Sequence, residues 1–291
     1  MTELIRVREL PVLPPRRADD HKGSFGRAVI LAGSRGMVGA ACLAAQAALR
    51  SGAGLSVLAV PEGIAPIAMA KLTCEMVVAL PETAAGTLDA RALDPVLAAI
   101  REAQAVAIGP GIRQDLATGD LLAALLPRVT VPLVLDADAL NLIAGRPAIL
   151  AGARAPVVLT PHPGEMARLC GRTTAEVQAD REAIAVGYAA SHDASIVALK
   201  GHRTVVTDGA RIWVNTTGNS GMATGGTGDV LTGVVAGLIA RGLAPFDAAV
   251  LGTYVHGLAG DLAAATVGEE SLIATDVLAY LPRAFRVTLG R

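Results

Sequence analysis

The chain has 291 residues, a formal net charge of -1, and is 52% hydrophobic but only 2% aromatic. Near-neutral charge without a long Lys/Arg cluster excludes a partner held by phosphate electrostatics, nucleic acid first among them. The odd cysteine count (Cys42, Cys74 and Cys170), with no metal-ligand spacing, excludes a disulfide framework or zinc site and points to a reducing cytoplasm.

The opening MTELIRVREL is charged and lacks an apolar signal core. Residues 1–25, rich in Pro and charge, predict an arm across the surface or an oligomer contact. RAVILAG (27–33) reads as a strand with a glycine stop, and VGAACLAAQAALRSG (38–52) as an Ala-rich helix. Strands follow at 55–60, 75–80, 105–109, 132–138, 157–161 and 195–201, with helices near 89–101, 115–126 and 174–191. These strands are short continuous apolar runs, the pattern of burial on both faces in a parallel sheet. Their alternation with helices predicts a three-layer αβα sandwich with a mostly parallel central sheet, as one doubly wound domain over 1–291. RTVVTDG and RIWVNTTG (203–218) predict a hairpin turning at Asp208-Gly209. Helices at 227–241, 245–266 and 276–286 complete the chain. The apolar run Val230 to Ala240 is well short of the roughly 20 residues that span a bilayer, so no membrane partner is expected.

Glycine-rich turns follow several strands: GSRGMVGA (33–40), GPGIRQ (109–114) and KGHRT (200–204). Ligands of open α/β sheets bind outside the carboxyl ends of strands, so these turns converge on one candidate site. Neither GxxxxGK[ST] nor a G-x-G-x-x-G between first strand and helix is present, so P-loop and Rossmann sites are not supported.

ATGGTGDVLTGVVAGLIARG (223–242) carries the main signal. The helix from Val230 is apolar all round and should be buried, leaving its first N–H donors unmatched. Gly225, Gly226 and Gly228 allow close backbone approach, so this turn suits a phosphate. Asp229 is then either a dipole-friendly cap, with the glycines only a turn, or a base for a hydroxyl attacking the bound phosphate. In TPHPGEMARL (160–169), Pro161 and Pro163 stiffen the loop around His162. That histidine is either a platform for a ligand or a loop residue bonded to backbone. Glu165 falls in the first helical turn, where a carboxylate is favoured. DADALNL (136–142) puts Asp136 and Asp138 two apart on a strand end, where they can point the same way. They read as Mg²⁺ carboxylates, Asp136 through water, or Asp138 reads as a helix cap. His21, His192, His202 and His256 have no metal-like spacing and read as solvent, capping or packing residues.

Together HKGSFGRAVILAGSRGMVGAACLAAQAALRSGAGL (21–55), GPG (109–111), DADALN (136–141), LTPHPGEMARL (159–169), ALKG (198–201) and NSGMATGGTGDVLTG (219–233) resemble the NAD(P)H-hydrate dehydratase family. The resemblance implies a ribokinase-like fold and a repair enzyme acting on the S-epimer of hydrated NADH or NADPH. ADP (or ATP) would be co-substrate, with Mg²⁺, in a cytoplasmic homotetramer. By motif, Asp229 would touch the ring hydroxyl as base, and Gly228 with the neighbouring N–H groups of Gly225 and Gly226 would hold the transferred phosphate. Lys200, Gly201, His202, Arg203 and Thr204 would lie along the adenine nucleotide. Ala40, Gly111 and His162 would line the hydrated dinucleotide. The chain is too short for the fused epimerase often found in the family, which implies a separate epimerase. The same GTGD would serve a small-molecule kinase of this fold phosphorylating a hydroxymethyl vitamin precursor, against which HPGE and HKGSFG count. A nucleotide-binding regulator without catalysis is disfavoured by the intact Asp229.

Overall fold

The computed structural model of the chain describes residues 4–192 and 195–290. The first three residues of the expected arm and the final Arg291 lie outside them. In chain order the elements begin with β1 (Ile5–Arg6), β2 (Arg27–Leu31), α1 (Val38–Arg50), β3 (Leu55–Pro61), α2 (Ala65–Lys71) and β4 (Met76–Leu80). They continue with α3 (Leu93–Ile100), β5 (Ala105–Ile108), α4 (Leu116–Leu125), β6 (Leu133–Leu135), α5 (Asp138–Gly145), α6 (Ala148–Ala151) and β7 (Val157–Leu159). Then come α7 (Pro163–Cys170), α8 (Thr174–Ala179), α9 (Arg181–Ala190), β8 (Ser195–Leu199), β9 (Val205–Thr207) and β10 (Arg211–Val214). Three helices close the chain: α10 (Thr227–Ala240), α11 (Pro245–Val267) and α12 (Ala274–Thr288).

The strands form one sheet in the order β1-β10-β9-β8-β7-β6-β5-β2-β3-β4. From β4 to β8 every pair is parallel; β8, β9 and β10 pair antiparallel. Burial on both faces explains the continuous apolar runs. Ala28 and Ile30 of β2 face a core with α1, α10, α11 and α12, while Val29 and Leu31 face a second core containing residues of α3, α4, α5, α7 and α9. The expected three layers and mostly parallel sheet are therefore present.

Three expectations change. The helix expected over 174–191 is two helices, because Asp180 leaves helical backbone (φ -144, ψ 67) and its side chain accepts from Ala183 N to cap α9. The arm is in part a strand: β1 pairs parallel with β10 and extends the sheet. The short helices α2 and α6 were not anticipated. The hairpin turns as expected, with Gly209 at φ +88 and Asp208 accepting from Ala210 N and Arg211 N.

Chain order reverses between β2 and β5. These strands are neighbours, yet the chain runs from β2 outward to β3 and β4 before returning to β5. Such a switch point opens a crevice at the carboxyl ends. Helix α10 packs over β2, β5 and β6 and lies very close to α1, whose inner face is Ala41, Ala44, Ala45, Ala47 and Ala48. A methyl group at Gly233 would collide with the Ala44 carbonyl, and one at Gly237 with that of Ala48.

Gly233→Ala is therefore expected to lose about 2–3 kcal/mol through overpacking, lowering the urea midpoint at unchanged slope. Gly187→Ala, exposed in α9 with open space around it, should be neutral or stabilising by up to about 1 kcal/mol. Equal midpoints for the two variants would contradict the close α1–α10 packing.

Candidate active site

The site grows from the start of α10. Its N-cap is Gly226, at φ +95 and ψ -17, and no side chain caps the helix. That backbone conformation suits glycine. Thr227, Gly228 and Asp229 form the first turn. Asp229 is not the cap, and its carboxylate accepts no hydrogen bond among the described residues. Burial first, and the Asp136 charge second, push this carboxyl up to about 7, against the pull of Lys200. A carboxyl poised there exchanges a proton readily at neutral pH.

Asp136 lies at the end of β6 and is 1% exposed. Its Oδ1 accepts from Lys200 Nζ at 2.6 Å and its Oδ2 from Thr232 Oγ1 at 2.6 Å. Lys200 leaves the end of β8, and its Nζ also stands 3.9 Å from Glu165 Oε2. Burial works against the Lys200 ammonium, but the Asp136 and Glu165 carboxylates outweigh it and raise its pKa. The same ammonium lies against Gly228: a methyl group there would be 3.3 Å from Nζ. One cation thus touches the helix start and two buried carboxylates.

Asp136 and Asp138 do not face one way. Ala137 between them takes φ 51 and ψ -119, which ends strand alternation at Leu135. Asp138 turns instead to Arg113 N and Gln114 Nε2 at 2.9 and 3.2 Å. It is also not a cap, since Ala137 occupies that position in α5. Among the described residues no group of three or more His, Cys, Asp or Glu is arranged to hold a metal.

His162 caps α7. Its Nδ1 accepts from Gly164 N and Glu165 N at 3.0 and 3.3 Å, and Glu165 Oε2 accepts from His162 N at 2.8 Å. The backbone-bonded reading of this histidine therefore holds for Nδ1. Burial and the Lys200 charge lower its pKa, keeping the ring neutral. Glu165 is buried by the same capping box, and desolvation pushes its carboxyl up to about 7.

Beside this cluster lies a cavity of about 500 Å³. Lys200, Gly201, His202, Arg203, Thr204 and Gly228 line it; Gly225 and Gly226 do not. Its far wall is the segment 215–222, tied to α11: Asn215 Nδ2 donates to Thr253 O, Thr217 Oγ1 to Tyr254 O, and Gly218 N to Asp261 Oδ2. Asn215, Thr217, Asn219 and His256 of this wall were not singled out from sequence. The polar stretch NTTGNSGM was the available signal for the first three; His256 is a lone histidine in an apolar helix and gave none. Ala40 and Gly111 lie together at the β2–β5 crevice, where a methyl group on Gly111 would stand 3.5 Å from the Ala40 Cβ. A methyl group on Gly226 would stand 2.9 Å from Leu43 of α1, so the start of α10 is also packed closely on α1.

A family model for NAD(P)H-hydrate dehydratase matches residues 28–283. The bifunctional NAD(P)H-hydrate repair enzyme Nnr of Moorella thermoacetica is 52% identical over 276 residues, covering 94% of this chain and 52% of that protein. The ADP-dependent (S)-NAD(P)H-hydrate dehydratase of Neisseria meningitidis is 39% identical, covering 92% and 86%. The chain spans about half the length of the bifunctional relatives it matches. The Bacillus subtilis ADP/ATP-dependent NAD(P)H-hydrate dehydratase, co-crystallised with ATP and Mg²⁺, is 33% identical with a TM-score of 0.80, covering 95% and 94%. The fold is the ribokinase-like one expected. By sequence and by structure, the chain belongs to the NAD(P)H-hydrate dehydratase family.

Proposed function

We propose that this chain dehydrates the S-epimer of hydrated NADH or NADPH, coupled to conversion of ADP to AMP and phosphate, with ATP as the alternative donor. The observation that carries this reading is Asp229: an unbonded carboxylate, titrating near 7, beside the free amides of a helix start and the Lys200 ammonium. A carboxylate next to an anion site is electrostatically disfavoured, so its presence is best explained by proton transfer.

In this reading the nucleotide's phosphates lie against the first turn of α10 at Gly228, with Gly225 and Gly226 giving backbone room. Lys200 to Thr204 flank the nucleotide, and Ala40, Gly111 and His162 border the dinucleotide. Asp229 takes the proton of the ring hydroxyl as its oxygen bonds to the terminal phosphorus of ADP; the bond to the bridging oxygen breaks and AMP leaves. Phosphate then departs from the ring carbon, driven by the nitrogen lone pair, and loss of a proton from the adjacent carbon closes the double bond. Phosphate is a far better leaving group than hydroxide, so the protein's part is placement and charge stabilisation. Mg²⁺ fits as an ion carried on the nucleotide phosphates. Both Asp136 oxygens already hold protein donors, so Asp136 would help hold the ion only through water. The ion would neutralise phosphate charge.

The whole chain acts as one dehydratase unit, and the R-epimer needs an epimerase, separate or fused. Self-association into a homotetramer is supported by the apolar edge strand β4, where Met76 is exposed, and by α2 packed against it, where Ile67 and Met69 are exposed. A cytoplasmic site suits the three unpaired cysteines, and no helix among the described residues is long and apolar enough to cross a membrane.

Mixing the protein with ADP, Mg²⁺ and S-hydrated NADH should restore the reduced-nicotinamide absorbance; no recovery with ADP or ATP would sink the dehydratase reading. Asp229→Asn should cut kcat by about 10²–10⁴, the usual worth of a general base, while ADP affinity is kept or tightened. Undiminished turnover in that variant would remove Asp229 from the base role. The base works ionised, so kcat/KM should rise with pH through about 7 and level above it. A rate that falls over this range in wild type would contradict the assignment.

A further inference from the structure

His256 of α11 stands in the wall of the 500 Å³ cavity and has no part in the mechanism above. Its Nε2 lies 2.9 Å from the Thr227 carbonyl oxygen. A carbonyl only accepts, so Nε2 carries the proton and donates it. His256 is 9% exposed, and burial lowers its pKa to about 4, so at neutral pH the ring holds that single proton. Nδ1 is then a bare acceptor. It has no protein partner among the described residues and is not enclosed; the space His256 borders is the cavity. The neighbouring polar groups on this wall are already engaged: Asn215 Nδ2 donates to Thr217 O and Thr253 O, and Thr217 Oγ1 to Tyr254 O.

We propose that His256 reads the nucleoside part of the bound nucleotide, Nδ1 accepting a hydrogen bond from a ribose hydroxyl or an exocyclic amine, while Nε2 pins the turn that holds the phosphate. This rests on the nucleotide-site part of the reading above. Thr227 immediately precedes Gly228 and lies two residues before Asp229. A donor at Nδ1 polarises the ring and strengthens the Nε2–H bond to Thr227. One side chain thereby links recognition of the nucleoside to placement of the phosphate amides and the base.

Two variants separate the two nitrogens. Gln carries an amide nitrogen where Nε2 stood, and Asn carries an amide oxygen where Nδ1 stood. ADP, or ATP if it binds more tightly, is titrated calorimetrically into protein without hydrated dinucleotide. His256→Gln should weaken binding about three- to tenfold, the worth of one hydrogen bond, and keep kcat. His256→Asn should hold affinity within about twofold and lower kcat. Inosine diphosphate, 2′-deoxy-ADP and 3′-deoxy-ADP identify the donor: the analogue that lacks it binds wild type and His256→Gln alike, and the others keep the loss. Wild-type affinity in His256→Gln, or the same loss with every analogue, overturns recognition through Nδ1. Unchanged kcat in His256→Asn overturns the pinning role. Because binding is read without turnover, a chain that binds ADP through His256 but restores no NADH sinks the dehydratase reading alone.

Discussion

A helix whose uncapped first turn lines a cavity presents its unmatched amide donors to whatever enters that cavity, and α10 begins that way. No side chain caps it. Its position is not adjustable, because Gly233 and Gly237 seat its middle directly on the backbone of α1. The helix start is thereby held beside the crevice where β2 and β5 part. Strand-end groups from β6 and β8 then come within reach of it: Asp136 and Lys200. An apolar helix packed against the sheet is also a positive dipole end aimed at the place where ligands of open α/β sheets bind.

The charges around that end are arranged unequally, and the inequality has a physical source. Asp136 is fully covered and has two donors, Lys200 and Thr232. Removing one partner of such a buried pair typically loses 3–5 kcal/mol, so the Lys200 ammonium is anchored and needs little reorganisation when an anion arrives. Asp229 is less covered and has no donor at all, and the neighbouring carboxylates oppose its ionisation. Two aspartates under the influence of one lysine therefore do different things. One fixes the cation; the other is left able to gain or lose a proton.

How much of this was legible in the sequence depends on whether the cause was local. The strands were legible because burial on both faces writes itself as uninterrupted Val, Ile, Leu and Ala. The α10 start was legible because its glycines adjoin the apolar run. The break at Asp180 was not, since one residue leaving helical backbone hardly disturbs a helical pattern. Strand β1 was not, being two residues long and paired through the sheet edge. The turn at Ala137 overrode simple strand alternation, so Asp136 and Asp138 part although their spacing suggested a common face. The Lys200–Asp136 pair joins residues 64 apart in the chain, and no local pattern announces such a contact.

The two histidines near the cluster show why its chemistry at neutral pH falls to carboxyl groups. His162 and His256 each commit one ring nitrogen to backbone at a helix start, His162 accepting at α7 and His256 donating at α10. Burial and the Lys200 charge both disfavour their cationic forms. Protonating His162 at Nδ1 would also remove the acceptor that satisfies two amides of α7. Both rings are thus fixed neutral by the backbone they support, even beside a site built for anions. What remains titratable near 7 is Asp229 and Glu165. These carboxyls act on each other, so a pH profile of the site reports the pair as a coupled system. Of the two, Glu165 is tied down by the His162 amide, and Asp229 is the one whose oxygens are free to meet a substrate hydroxyl.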